Sequence, residues 1–144
     1  MRILVLGASG AAGGSLLDVA LSSPLVEEVR TLSRKRIETG SARHVGVVHD
    51  DLFDYRAVAG TFAGLDAAFY CIGRSVSQVG EEAAYRRLAF EAAEVAAAQL
   101  AAASPAAAFH YLSGQGASLA SRQMWARVKA EAEQSLIERY AAVC

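Results

Sequence analysis

An apolar strand pattern that runs without a gap into spaced glycines, and from there into a helix, leaves a chain few folds to choose from. Ile3-Leu4-Val5-Leu6 is followed by Gly7-Ala8-Ser9-Gly10-Ala11-Ala12-Gly13-Gly14, and then by Leu16, Leu17, Ala20 and Leu21 at helical spacing. Buried strand, glycine turn and helix are the order that a nucleotide-phosphate loop needs. Gly7 lets the chain turn off the strand, Gly10 lets backbone N–H groups come close to a pyrophosphate, and Gly13 lets the helix pack against the strand. Ser9, Ala11 and Ala12 complete the loop, and the helix N-terminus offers unpaired N–H groups with a partial positive charge. A nucleoside triphosphate loop would close on Gly-Lys-Ser/Thr. Here Gly14-Ser15-Leu16 follows Gly13 without a lysine, so a dinucleotide is the expected ligand. The alternative is a tight strand-to-helix turn that holds nothing.

The rest of the chain continues the alternation. Short strands are expected at Glu28 to Ser33, Arg43 to His49, Ala67 to Ile72 and Ala107 to Leu112. Between them lie a short helix from Asp54 to Phe62 and a long one from Glu81 to Ala103 that Ser104-Pro105 ends. A last helix runs from Ser121 to Tyr140, with Trp125, Val128, Ala132 and Leu136 at helical spacing. In the long helix the expected inner face is Tyr85, Leu88, Ala92, Val95, Ala96 and Gln99. Strands alternating with helices predict a doubly wound parallel sheet, a Rossmann-like α/β fold in three αβα layers, as one domain over residues 1–144. A sixth strand would begin at Ala141 to Cys144. The domain is expected to stop short of it, which either truncates the sheet and exposes its edge or leaves an edge that a partner chain, a second copy included, covers.

Composition sets the surroundings. A net charge of −1 gives no field that favours nucleic acid or an anionic membrane. No apolar run approaches the ~20 residues that span a bilayer. Two widely separated cysteines, Cys71 and Cys144, make no disulfide framework, and a reduced cytoplasmic setting is expected.

Several further positions point to the same ligand. Ser33-Arg34-Lys35-Arg36 follows the second strand, where a dinucleotide's adenosine ribose should lie. A carboxylate there would bind a 2′-hydroxyl, whereas a guanidinium suits a 2′-phosphate. The segment carries no carboxylate, so NADP(H) is expected, the alternative being a solvated basic loop. Asp51-Leu52 follows the third strand, within reach of an adenine amino group, but Asp51 serves equally well as a helix cap. Cys71-Ile72-Gly73 ends the fourth strand where a cofactor would cross the sheet, with Cys71 read as a small buried apolar residue and Gly73 as an open approach. His44, His49 and His110 show no metal-ligand spacing, and no metal is expected.

Taken together, Gly7-x-x-Gly10-x-x-Gly13, Ser33-Arg34, Asp51-Leu52, Cys71-Ile72-Gly73, Tyr111-Leu112-Ser113 and Val128-Lys129 resemble an atypical short-chain dehydrogenase/reductase. The pattern is similar to NmrA-like and Tat-interacting-protein-like oxidoreductases, relatives of the NAD-dependent epimerases and dehydratases. The resemblance runs over essentially the whole chain. It implies NADP(H) in a Rossmann domain, with Ser113 hydrogen-bonding a substrate oxygen and Lys129 binding the nicotinamide ribose. The family's tyrosine stands four residues before the lysine, a position held here by Trp125. An indole N–H donates a hydrogen bond but exchanges no proton near neutral pH. Losing a general acid typically forfeits ~10²–10⁴-fold in rate. Tyr111, on the same strand face as Ser113, is the substitute acid the sequence offers. Trp125 faces the cleft with Lys129 or serves as a packed aromatic.

Two functions of different classes are therefore expected. One is an NADP-dependent oxidoreductase acting on a carbonyl or quinone-like small molecule. The other is a non-catalytic redox sensor of NmrA type that reads NADP(H) and reports to a regulatory protein partner.

Overall fold

A computed structural model describes residues 1–75 and 80–140. Five parallel strands form one sheet, β1 (Arg2–Leu6), β2 (Glu28–Ser33), β3 (His44–Val48), β4 (Ala67–Tyr70) and β5 (Ala108–Tyr111), in the order β3-β2-β1-β4-β5. The helices are α1 (Ala11–Ser22), α2 (Glu82–Arg86), α3 (Ala92–Ala103) and α4 (Met124–Tyr140). This is the expected Rossmann-like α/β architecture. The expected start of a sixth strand at 141–144 lies outside the described residues.

Alternation along β1 makes the two faces. Ile3 and Val5 point to the side of α1, where they pack with Leu17, Ala20 and Val29. Leu4 and Leu6 point the other way, into the larger core with Phe62, Leu100 and Leu136. A central parallel strand buried on both faces needs this unbroken apolar run.

Between β3 and β4 the expected helix is a 3-10 segment, Arg56–Phe62, with Val58 out of helical geometry at φ −126°. Seven residues that include Gly60 are too few to sustain an α-helix by themselves. The side chain of Arg30 on β2 instead holds this segment's end, donating to the carbonyls of Thr61 at 2.9 Å and Ala63 at 2.7 Å.

The long helix expected over 81–103 is not uniform. A π-turn, Arg87–Glu91, joins α2 to α3. Its cause lies on the sheet: the Tyr70 hydroxyl donates to the Leu88 carbonyl at 2.7 Å, and the Tyr111 hydroxyl to the Ala89 carbonyl at 2.6 Å. Of the expected inner face, Tyr85, Ala92 and Ala96 are buried, while Leu88, Val95 and Gln99 are only half-buried. Ala89, Ala93, Ala97 and Leu100 are buried with them, so the buried face is broader than the spacing predicts. The last helix starts at Met124 rather than Ser121, and there Val128, Ala132 and Leu136 are buried as the spacing predicts. No helix among the described residues is long and apolar enough to cross a membrane.

Candidate functional site

The carboxyl ends of β1, β2, β3 and β4 open into one cleft of about 310 Å³. Its floor is the glycine loop. Gly7 takes φ +88°, and a Cβ there would stand 2.9 Å from the backbone of Cys71 and Ile72. A Cβ on Gly13 would stand 2.3 Å from the Gly7 carbonyl oxygen, so glycine at 13 is what brings α1 onto the strand. Gly10 is the N-cap of α1 and no side chain caps the helix. The N–H groups of Ala11, Ala12 and Gly13 precede the first helical bond, from the Gly14 N–H to the Gly10 carbonyl at 2.8 Å. They give the helix its free positive end. This cradle suits a pyrophosphate.

Gly7, Ser9, Gly10, Ser33, Arg34, Leu52, Cys71, Ile72 and Gly73 line the cleft. The Ser33 hydroxyl donates to the Lys35 carbonyl at 2.6 Å, and Arg34 stands at the lip. Arg34 is exposed and makes no ion pair among the described residues. Ala11, Ala12 and Gly13 contribute backbone rather than wall. Lys35 is outside the lining. Asp51 accepts the Phe53 N–H at 2.8 Å and so acts as a local cap, while its neighbour Asp50 lines the cleft. Leu32, His49, Tyr55, Arg74 and Leu88 also line it. Asp50 and Arg74 adjoin positions the motif singles out. Tyr55 and Leu88 carry no motif and are brought in only by the tertiary fold.

Ser113 and Lys129 form a second group past the end of β5, outside the cleft lining. Lys129 is 8% exposed. Its ammonium donates to the Leu112 carbonyl at 2.7 Å and lies 4.6 Å from the centre of the Tyr111 ring. Burial lowers its pKa, partly offset by Glu133 and Cys71. The Ser113 hydroxyl is buried with no partner among the described residues. Cys71 links the two groups: burial raises its thiol pKa, and the Lys129 charge opposes that. Tyr111 does not stand free as an acid. Its hydroxyl is committed to Ala89, and burial pushes its pKa well above the ordinary phenol value. Trp125 is half-buried against Gly114 and packs with Tyr85, Ala89 and Val128, so it takes the packed position. His44 pairs with Thr31 at 2.9 Å, and His49 with the Asp54 carbonyl at 2.8 Å. Among the described residues no group of three or more His, Cys, Asp or Glu could hold a metal ion.

No family model matches the chain. Solved structures do. The UDP-Glc/GlcNAc 4-epimerase of Campylobacter jejuni superposes at a TM-score of 0.80 and 16% identity, over 98% of this chain and 49% of that one. Uronate dehydrogenase from Agrobacterium tumefaciens superposes at 0.70 and 18% identity, over 98% and 57%. A short-chain dehydrogenase/reductase superfamily protein from Agrobacterium tumefaciens, with bound NAD, superposes at 0.75 and 16% identity, over 99% and 47%. The fold is the Rossmann-like α/β fold of these structures. The chain spans roughly half the length of these solved relatives.

Proposed function

We propose that this chain is an NADP(H)-binding domain of an oxidoreductase of the atypical short-chain type, working in the reduced cytoplasm. The observation that carries the reading is the cleft itself: a capless helix N-terminus and glycine cradle at its floor, and Arg34, free of any carboxylate, at the lip beside β2. The loop N–H groups of Ala11, Ala12 and Gly13 hold the pyrophosphate, and Arg34 pairs with the 2′-phosphate. Leu52 and Ile72 supply apolar walls for the adenosine, and Gly73 leaves room for the nicotinamide ribose. A bound nicotinamide supplies hydride transfer. Around it, Ser113 offers a free hydroxyl to a substrate oxygen. Lys129 reaches the ribose by giving up its bond to the Leu112 carbonyl. The substrate is a small carbonyl or quinone-like molecule, and a second copy of the chain covers the open sheet edge.

A second reading, the NmrA-type sensor with a regulatory protein partner, is favoured by one arrangement. Trp125 occupies the tyrosine position and packs on Gly114, while the Tyr111 hydroxyl is held by Ala89. No phenol is thereby left beside Lys129 on α4 or β5 for proton transfer.

Turnover separates the two readings. Purified protein is titrated with NADPH, then mixed with a panel of carbonyls and quinones while NADPH absorbance is followed. Oxidation of NADPH that depends on Ser113 supports the oxidoreductase. Saturable binding without turnover leaves the sensor, and no binding of NADPH or NADH removes both.

A further inference from the structure

Tyr55 and Tyr70 are buried in the larger core, and Tyr111 packs against it beside Tyr70. Two of them donate their hydroxyls to the carbonyls of the π-turn. The third, Tyr55, is 3% exposed, and its hydroxyl has no hydrogen-bond partner among the described residues. It is also the one of the three that lines the cleft. Proteins rarely leave a buried hydroxyl unpaired, because desolvation without a partner is destabilising.

Its surroundings say what would pair with it. The ring is fixed between His49, at a centroid distance of 5.6 Å, and Phe62, at 4.9 Å. Leu32, Leu52 and Leu88 line the same cleft, so this end offers apolar contact to a flat ring. Asp51 lies near enough for its charge to raise the Tyr55 phenol's pKa further above the value that burial gives it. A purine is a flat ring with polar atoms on its edge, and a phenol both donates to a ring nitrogen and accepts from an exocyclic amine.

We infer that the Tyr55 hydroxyl is the hydrogen-bond partner of the ligand's purine base at the inner end of the cleft, a specificity residue for adenine-containing nucleotides. The inference rests on the dinucleotide reading above. The hydroxyl is sealed in the present structure, and the half-buried side chains of Leu52 and Leu88 are those whose rotation admits the base edge. Such rotations are fast on the time scale of binding.

The test is Tyr55→Phe, examined by thermal melting and by calorimetry with NADPH and with adenosine 2′,5′-bisphosphate. The variant is expected to melt at or above the wild-type temperature, since no internal hydrogen bond is lost. NADPH and the bisphosphate should both bind about tenfold more weakly, the effect of one neutral hydrogen bond. Unchanged NADPH affinity overturns the inference. So does a lowered melting temperature, which would mean that the hydroxyl has a partner within the protein. Loss confined to NADPH would place the effect outside the adenosine half and overturn it as well. If the wild-type protein binds neither ligand, the dinucleotide reading falls and takes this one with it. Wild-type binding that Tyr55→Phe leaves intact removes this one alone.

Discussion

At the residue scale, the glycine loop shows what a sequence carries without help from the rest of the chain. Gly7 and Gly13 are required by atoms within a few residues or one strand away, so their spacing announces them. A Cβ at Gly13 would fall 2.3 Å from the Gly7 carbonyl oxygen. Gly13→Ala should therefore cost about 1–3 kcal/mol of stability, read as a lower denaturation midpoint at unchanged slope, with NADPH affinity reduced too. Lys129 is a different case. Its number is legible, but its state is set by burial and by the Leu112 carbonyl and Tyr111 ring it meets. Burial holds its folded-state pKa below the ordinary 10.5. Between the lowered folded value and that ordinary value, the unfolded chain binds more protons, so stability rises with pH in that window. Denaturant titrations from neutral pH toward 10.5 should show the wild type gaining stability relative to Lys129→Met. A difference that stays flat or falls would contradict the buried ammonium. Tyr55 was not legible at all, because an unpaired hydroxyl is a property of the finished core and leaves no mark in the sequence.

At the element scale, the strands and most helix limits follow from local pattern, whereas the π-turn does not. Its sequence, Arg87-Leu-Ala-Phe-Glu91, contains no glycine or proline and suits a regular helix. The turn widens where Tyr70 on β4 and Tyr111 on β5 present hydroxyls to the Leu88 and Ala89 carbonyls. Both donors are distant in sequence, so the π-turn was hidden. Tyr111→Phe should cost about 0.5–1.5 kcal/mol. It should leave any turnover unchanged, since the hydroxyl is structural; a collapse of turnover would restore Tyr111 as the acid. The end of α1 depends in the same way on a distant side chain. Arg43, just before β3, donates to the carbonyls of Ser23 at 2.8 Å and Val26 at 2.6 Å, and also to that of Leu21. Arg43→Met should cost about 1.5–3 kcal/mol by stripping a charged donor from these carbonyls. Hydrogen exchange should show the loss first in the last turn of α1.

At the scale of the whole molecule, the order β3-β2-β1-β4-β5 puts the glycine loop at the centre, with Arg34 on the β2 side and Cys71 to Arg74 on the β4 side. The parallel, doubly wound sheet was readable because strand–helix alternation allows few parallel topologies, whereas the strand order is set by the finished sheet. That order gathers most of the candidate dinucleotide residues around one cleft and sets Ser113 and Lys129 outside its lining. The division matters for function: the nucleotide half is built from the glycine-loop backbone with Arg34 at its lip, while in the chemical half Trp125 stands where a tyrosine would precede Lys129. The central claim is that the cleft takes a nicotinamide dinucleotide and that Arg34 reads its 2′-phosphate. Calorimetric titration of the wild type and of Arg34→Gln with NADPH and with NADH tests it most directly. The account predicts tighter binding of NADPH than NADH to the wild type, and a loss of about 10- to 100-fold for NADPH alone in Arg34→Gln, the worth of one charge-assisted hydrogen bond. Equal or tighter binding of NADH to the wild type, or equal losses for both ligands in the variant, would contradict it.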